Sequence, residues 1–330
     1  MRACATDPSC AGFQSPLWIC PDQVNAPPGA LSFVPPTARH PRMQPAPASL
    51  KHKIEYAVFL ALAKLVRALP VETASNAMGW GWRVFAPLSS RHKRALTHLA
   101  LAFPEKSPEE LQALARGMWE MLGRVFAEIF HLDEIASSNR ITLGESSRTM
   151  LPADHCFVAV AAHQGNWELG GAGVVLAGAS PAGVYQRIKN PLVDAYVRKL
   201  REKSYPGGLF AKSDDAVRQI IRHVRRKGAV TTMGDLRDNG GIQVPFFGRP
   251  APTSPFPALI ARRFGIPLFA GNIIREPGVR FHIEIMPIDV PKTDDIDADV
   301  AVATANLHKA IEETIRARPQ DWMWAHRRWG

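Results

Sequence analysis

Between residues 89 and 136, apolar residues recur three and four positions apart, which is the spacing of one buried helix face. Leu96 and Leu99 belong to a first such series, and the same spacing resumes further along the chain. Pro104 and Pro108 separate the two series, because proline is tolerated in the first turn of a helix but not in its interior. This part of the chain is therefore predicted to be helical.

After Asp154 the pattern changes to short apolar and β-branched runs bounded by turn-forming residues. Five runs are predicted to be strands: 156–162, 182–185, 229–233, 266–273 and 280–287. Helical segments lie between them, so a sheet with helices packed on it is expected. The sequence predicts an α/β fold, in which a mixed sheet is flanked by helices and preceded by an N-terminal helical region.

A mostly apolar helix is predicted from Ile54 to Leu69, where Pro70 ends it. Its 16 residues fall short of the roughly 20 needed to cross a membrane easily. Lys64 and Arg67 would share one face, which leaves the apolar remainder free to lie in a membrane interface. The pattern suits an ordinary core helix as well, and the residues leave both alternatives open.

Residues 1–49 are rich in Pro, Ala and Ser and show neither helical nor strand periodicity. This composition predicts a disordered segment, and it lacks the basic start and apolar core of a signal peptide. An alternative is that translation begins at Met43 and that the preceding residues are not native. A single folded domain is expected over residues 50–330.

The formal net charge of +10 predicts anionic partners: nucleic acid, an acidic carrier protein and an anionic membrane all fit this sign. No helix-turn-helix or zinc-finger pattern supports nucleic acid. The clearest basic stretch runs from Arg187 to Lys227, with twelve Lys or Arg against four Asp or Glu. The four cysteines lack metal-like spacing, so no metal site is expected.

The strongest candidate for chemistry is the pair of His163 and Glu168. Residues five apart lie roughly 140° around a straight helix, so the two side chains need a turn between them to meet. A predicted strand ends just before His163, Gly165 permits an unusual backbone angle, and Asn166 is a good N-cap for a following helix. A histidine oriented by a nearby carboxylate can remove a proton from an attacking hydroxyl.

Four sequence blocks carry a resemblance to a known family: His163–Glu168, Val184–Pro191, Val244–Gly248 and Trp322–Trp329. The first resembles the His-x4-Asp/Glu signature of glycerolipid-type acyltransferases. Together, in this order, the blocks resemble the bacterial lipid A late acyltransferases, which are lauroyl and myristoyl transferases. The resemblance covers about residue 50 to the end.

The resemblance implies a glycerolipid-acyltransferase-like fold at the cytoplasmic face of the inner membrane. It implies transfer of a fatty acyl chain from acyl carrier protein to a hydroxyl of a lipid A precursor, with His163 and Glu168 catalytic and no cofactor. The basic stretch would then be the docking face for the acidic carrier.

Substrate-binding residues are expected near the dyad and acyl-chain contacts near the third block. The substrate-binding candidates are Asn166, Gln186, Arg187, Asn190 and Asp235. The acyl-pocket candidates are Phe246, Phe247 and Phe256. Two positions depart from the family pattern, because Gln186 stands where an arginine is usual and Leu236 replaces the usual glutamine.

Two alternatives remain at this point. The enzyme could acylate another glycolipid or a lysophospholipid, with acyl-CoA as a possible donor, since the dyad serves any hydroxyl acceptor. A non-catalytic basic protein of membranes or nucleic acid is favoured only by the net charge and the tryptophan-rich C-terminal end. The tryptophans of the last block suit either a membrane-interface belt or a packed cap over the core.

Overall fold

A computed structural model describes residues 48–329. Most of the segment predicted to be disordered, 1–49, therefore lies outside the described residues. The helices α1 to α11 span Leu50–Arg67, Val71–Phe85, Ser90–Ala102, Pro108–Glu128, Leu132–Ser137, Glu145–Met150, Gly170–Leu176, Pro191–Arg201, Asp214–Arg225, Phe256–Phe264 and Ile296–Ala317. The strands β1 to β9 span Ile141–Leu143, Val158–Ala161, Pro181–Tyr185, Gly208–Ala211, Ala229–Met233, Ile242–Phe246, Arg249–Thr253, Leu268–Glu276 and Arg280–Ile288.

Seven strands form one sheet in the order β1-β9-β8-β2-β5-β3-β4. All neighbours are parallel except β8 and β9, which pair antiparallel. Helices flank this sheet, so the predicted α/β fold with a mixed sheet is confirmed. Each of the five predicted strands is present, β5 with the predicted ends and the other four with shifted ends, and four short strands were missed.

The missed strands have physical reasons for their weak signals. β6 and β7 form a separate hairpin that contains Pro245, Pro250 and Pro252, and proline is normally a sign against a strand. Their connection is the pair Phe247 and Gly248, both at positive φ, which is the geometry of a tight two-residue hairpin turn. β1 and β4 have only three and four residues, which is too short for a visible alternation.

Strand β2 lies at the centre, between β8 and β5, and its buried residues belong to the core on both faces of the sheet. The chain leaves β2 toward β3 on one side and leaves β5 toward β8 on the other. This reversal opens a crevice at the carboxyl ends of β2 and β5, where α/β proteins bind their ligands. His163 follows β2 and Asp235 follows β5.

The first four helices form the N-terminal helical region, with α2 packed along α4. Helix α1 begins four residues before the predicted start, where the Ser49 hydroxyl accepts a hydrogen bond from the backbone of His52. Its buried Ala63 and Val66 pack with Phe130, while Leu50, Ile54, Val58 and Leu65 are exposed. Within residues 48–329 no helix combines the length and the apolar character needed to span a bilayer.

Candidate active site

The turn predicted between His163 and Glu168 is present. Gly165 has a φ of 57°, and a Cβ there would lie 2.1 Å from the carbonyl oxygen of Ile273. Asn166 then caps a 3-10 turn, Trp167–Leu169, by accepting a hydrogen bond from the backbone of Glu168 at 3.2 Å. Only glycine fits the conformation and the close approach at position 165, which explains how the chain reverses there.

His163 is held by Asp235. The ring Nδ1 lies 2.8 Å from Oδ1 of Asp235, and the backbone N–H of His163 donates to Oδ2 at 2.8 Å. Because an ionised carboxylate only accepts, Nδ1 carries the proton and Nε2 is left with its lone pair. Nε2 makes no hydrogen bond to any residue of the described chain, and the side chain is 15% exposed. This nitrogen is available as a base.

The prediction that Glu168 orients His163 is wrong, because Glu168 is paired with Arg201 instead. Nε and Nη2 of Arg201 each donate to one oxygen of the Glu168 carboxylate at 2.6 Å. Glu168 is buried, so its charge is stabilised by this two-pronged contact. Arg201 was missed, although it closes the helix α8 that begins at the predicted Asn190–Pro191 cap. Arg201 lies beside Glu168 because of how α8 packs on the rest of the protein, and the local sequence pattern does not predict that packing.

The charges of this centre set its pKa values. Burial lowers the pKa of His163, but the Asp235 carboxylate and, less strongly, the Glu168 carboxylate outweigh it and raise the pKa above its usual value. Burial raises the pKa of Asp235, and the contacts with His163 outweigh it and hold that pKa well below its usual range. For Arg201 the loss of hydration is outweighed by Glu168, which raises its pKa. Asp235 and Arg201 therefore stay charged at neutral pH.

Asp235 was predicted to bind substrate, and the structure contradicts this. Its carboxylate is fully buried, and Oδ2 also accepts a hydrogen bond from Nε1 of Trp322 at 2.7 Å. With His163 and Trp322 both donating to it, the carboxylate faces the protein and not the crevice. Its place is that of a residue that positions the histidine.

Asn166 and Asn190, also predicted to bind substrate, are engaged within the protein. The Asn166 amide donates to the buried carboxylate of Glu128 at 2.7 Å, which also accepts from Ser75 and Arg275. The Asn190 amide donates to the backbone oxygen of His52 and to Glu55, which ties α8 to α1. Both residues support the fold around the site and have no free group for a ligand.

Gln186 and Arg187 lie exposed after β3 and line neither of the two cavities at the site. The arginine beside the dyad is therefore Arg201. The structure does not bring Gln186 and Arg187 together with His163, so substrate contact by these two residues stays a prediction without a supporting contact.

The three phenylalanines predicted as acyl-pocket walls lie in the core. Phe246 and Phe247 pack edge to face on each other, with ring centroids 5.0 Å apart, and both contact Trp329. Phe256 packs against the same core. None of the three lines either cavity beside the dyad, so this prediction is wrong. An apolar run has the same appearance whether it packs in a core or faces a ligand.

The C-terminal tryptophans form a packed cap. Trp322 and Trp324 are fully buried, with ring centroids 4.5 Å apart. The backbone N–H of Met323 donates to the His163 carbonyl at 3.0 Å, and Asp321 accepts from the N–H of Gly165 at 2.9 Å. The structure decides between the two alternatives for the Trp322–Trp329 block. The block is a packed cap that supports the histidine loop, and it is not a membrane-interface belt.

Two cavities share Trp167 as a lining residue, and the ring centroid of Trp167 is 5.1 Å from that of His163. The larger has a volume of about 650 Å³ and lies between the helical region and the sheet domain. Glu168, Arg201 and His326 are among its lining residues. The smaller, of about 80 Å³, is almost wholly apolar and follows the α7 face of the sheet from Ala161 down to Phe157.

Within residues 48–329 no cluster of three or more His, Cys, Asp or Glu side chains could hold a metal ion. The site can instead perform base catalysis on a hydroxyl, with a cation at hand for developing negative charge.

Comparison with solved structures finds similarity to the 1-acyl-sn-glycerophosphate acyltransferase PlsC from Thermotoga maritima. The two share 15% sequence identity with a TM-score of 0.35, over 75% of this chain and 98% of that chain. Comparison with curated protein sequences found no match.

The sequence model of the bacterial lipid A biosynthesis acyltransferases matches residues 40–330, which is most of the chain. The match includes all four blocks on which the resemblance was based, and it includes His163, Glu168, Arg201 and Asp235. The protein is an acyltransferase that belongs to the bacterial lipid A biosynthesis acyltransferase family.

Proposed function

We propose that this enzyme transfers a fatty acyl chain from the thioester of acyl carrier protein to a hydroxyl of a lipid A precursor, at the cytoplasmic face of the inner membrane. The observation that carries the proposal is the Asp235–His163 pair, whose Nε2 is unpaired and whose ring packs on Trp167, a residue that lines both cavities. The family supports a lipid acceptor.

The chemical step uses this geometry directly. Nε2 of His163 takes the proton of the acceptor hydroxyl while its oxygen attacks the thioester carbonyl carbon. The carbonyl π electrons move to oxygen, and when the C–O double bond reforms, the C–S bond breaks. The sulfur takes the proton back from the imidazolium, so the products are an ester and a free thiol. Asp235 stabilises the transient imidazolium without taking its proton.

Arg201 is the proposed source of oxyanion stabilisation. Two of its nitrogens bind Glu168, while Nη1 makes no hydrogen bond to any described residue, and the side chain lines the larger cavity. A donor of this kind contributes roughly 3 to 4 kcal/mol to transition-state stabilisation in other enzymes. Glu168 then acts by holding Arg201 in place, and not by orienting His163 as the sequence predicted.

The smaller cavity is the proposed site of the acyl chain in place of the three phenylalanines. It extends from Ala161, at the end of β2, to Phe157, the residue before β2, which is roughly 13 Å of extended chain. Phe157 lines its lower end and packs edge to face on Phe269. Trp167, which packs on His163, lines this cavity, so a chain within it would hold its carbonyl on the His163 side.

The carrier protein is proposed to dock on the part of the basic stretch that lies at the same end of the sheet as His163. Lys227 precedes β5 whereas Asp235 follows it, so the basic residues around Lys227 lie at the opposite end. Arg187 and Lys189 are exposed and directly follow the parallel strand β3. They are the better placed residues for an acidic partner.

Membrane association is proposed through exposed apolar side chains of α1, α2 and the turn after α2. Trp80, Phe85 and Leu88 are 63%, 62% and 85% exposed. A soluble surface rarely groups large apolar side chains in this way, and a lipid interface would cover them.

The proposal is tested by mass spectrometry of lipid A from cells with the gene, without it, and with His163→Ala. Loss of one acyl chain in both altered strains is expected, and an unchanged acyl pattern in the deletion strain would refute the lipid A acceptor. Purified enzyme is then offered matched acyl carrier protein and acyl-CoA donors, with the lipid A precursor and a lysophospholipid as acceptors. Preference for acyl-CoA or for the lysophospholipid would favour the alternative enzyme function.

A further inference from the structure

The larger cavity carries an excess of positive charge at the wall formed by the start of α3. Arg91 and Arg94 line it there, and Arg201 also lines this cavity. The cavity-lining residues that the structure describes include one carboxylate, Glu168, and both of its oxygens are occupied by Arg201. The charge of Arg91 and Arg94 is therefore not neutralised from within the cavity.

The two arginines have few partners of their own. Arg94 donates one hydrogen bond, to the carbonyl of Ala325 at 3.2 Å, and forms no ion pair with a described residue. Arg91 is exposed and makes neither a hydrogen bond nor an ion pair within residues 48–329. Three positions apart on one helix, they lie on the same face and point to a common region.

Their placement is unfavourable for the helix itself. Arg91 lies in the first turn of α3 and Arg94 follows directly after it, and this first turn contains no acidic residue. Positive side chains there add to the positive end of the helix dipole, where negative groups are normally preferred. An anion in the cavity would relieve this accumulation of charge.

We propose that Arg91 and Arg94 form a phosphate-recognition site for the glycolipid acceptor, which rests on the proposed function above. The planar guanidinium groups can each donate two hydrogen bonds to phosphate oxygens. The aromatic side chains of Trp82 and Trp119 line the same cavity and would contact apolar parts of the lipid. A phosphorylated acceptor would then be held at one side of the cavity while its hydroxyl reaches the His163 side.

The test compares Arg91→Gln and Arg94→Gln with Lys93→Gln. Lys93 lies in the same helical turn and its loss removes the same charge, but it does not line the cavity. Binding of a phosphorylated lipid A precursor and of its dephosphorylated form is measured directly, and steady-state acyl transfer is measured with both acceptors and acyl carrier protein donor.

We expect each arginine substitution to weaken binding of the phosphorylated precursor at least tenfold, and to raise its KM with little change in kcat. Lys93→Gln should bind like the wild type, and the dephosphorylated precursor should not distinguish the variants. An unchanged affinity would overturn the proposal. So would an effect that is equal for both acceptors, or one confined to the KM of the donor, whose prosthetic group also carries a phosphate.

The outcomes separate the two proposals. Arginine-dependent binding of the phosphorylated lipid without acyl transfer by the wild type would retain the phosphate site and refute the proposed function. Acyl transfer with equal KM for the phosphorylated and dephosphorylated acceptors in every variant would retain the proposed function and refute the phosphate site.

Discussion

The side chain of Asp235 holds both the ring and the backbone of His163, with Oδ1 at 2.8 Å from Nδ1 and Oδ2 at 2.8 Å from the backbone nitrogen. One carboxylate therefore fixes the histidine's tautomer, its ring orientation and the path of its loop. Glu168, five residues from His163 in the sequence, has none of these roles, because its carboxylate binds Arg201.

Asp235→Asn should lower kcat by roughly 10³- to 10⁴-fold, because the neutral amide no longer stabilises the imidazolium and no longer selects one tautomer. The rate of acyl transfer to the acceptor measures this loss, and thermal unfolding shows whether the fold is retained. Asp238→Asn, in the same loop but without contact to the histidine, is the control and should be nearly normal. Activity of Asp235→Asn within tenfold of the wild type would contradict the assignment.

The rate of acyl transfer should rise with pH as the His163 ring loses its proton, since only the neutral ring accepts a proton. This rising part of the pH profile is the limb set by His163. Burial lowers the pKa of this ring and the Asp235 carboxylate more than restores it, so the activity should rise with pH through a value above the usual 6.5 or so. Removing the charge in Asp235→Asn leaves burial dominant, and the limb should move to lower pH. A limb that stays in place would show that another group controls the rate.

Glu168→Gln should destabilise the enzyme by about 3 to 5 kcal/mol, because it leaves the mostly buried Arg201 without its partner. Arg201→Gln should do the same from the other side. The double variant removes both charges and should recover much of this stability, while its kcat remains low because the oxyanion donor is missing. Denaturant unfolding and acyl transfer measure the two effects separately. Recovery of activity in the double variant would exclude a catalytic role for Arg201.

Ala159→Val should shift the acyl preference toward shorter chains. Ala159 lines the smaller cavity about midway between Ala161 and Phe157, so two added methyl groups narrow the channel there. A series of acyl carrier protein donors of increasing chain length measures the change. Ala270→Val adds the same volume in the core on the other face of the sheet, and it should cost about 1 to 3 kcal/mol of stability without a change in preference. An unaltered profile in Ala159→Val would place the chain elsewhere.

Trp80→Ser should weaken binding to anionic phospholipid vesicles by roughly one order of magnitude, as expected for withdrawing one large apolar side chain from a lipid interface. Vesicle co-sedimentation measures it. Val302→Ser on α11 is the control, since Val302 is also exposed but lies on a different helix. Equal binding by both variants would exclude α2 from the membrane contact.

The sequence was most informative where the cause of structure is local. Gly165 and Asn166 determine the turn after β2 through their own backbone and side chain, and that turn is present as predicted. The clustered glycines of α7 are another local cause, because a Cβ at Gly171 would lie 2.5 Å from the carbonyl oxygen of Ser204.

The carboxylate that orients the histidine could not be identified in this way. Asp235 is 72 residues from His163, and the two meet because β5 lies beside β2, a neighbour relation that neither strand encodes alone. Arg201 reaches Glu168 across 33 residues through the packing of α8. The sequence indicated the residue types of this centre but paired them by proximity along the chain, which favoured Glu168.

The support that Trp322 and Met323 provide for Asp235 and His163 also bears on the order of synthesis. Translation completes β2 with His163 and β5 with Asp235 well before it reaches Trp322 and Met323, which support them. A nascent chain still lacking that segment has its base and its carboxylate but not the contacts that hold them in register. The reactive centre is therefore complete only when residues 321–323 are packed against it.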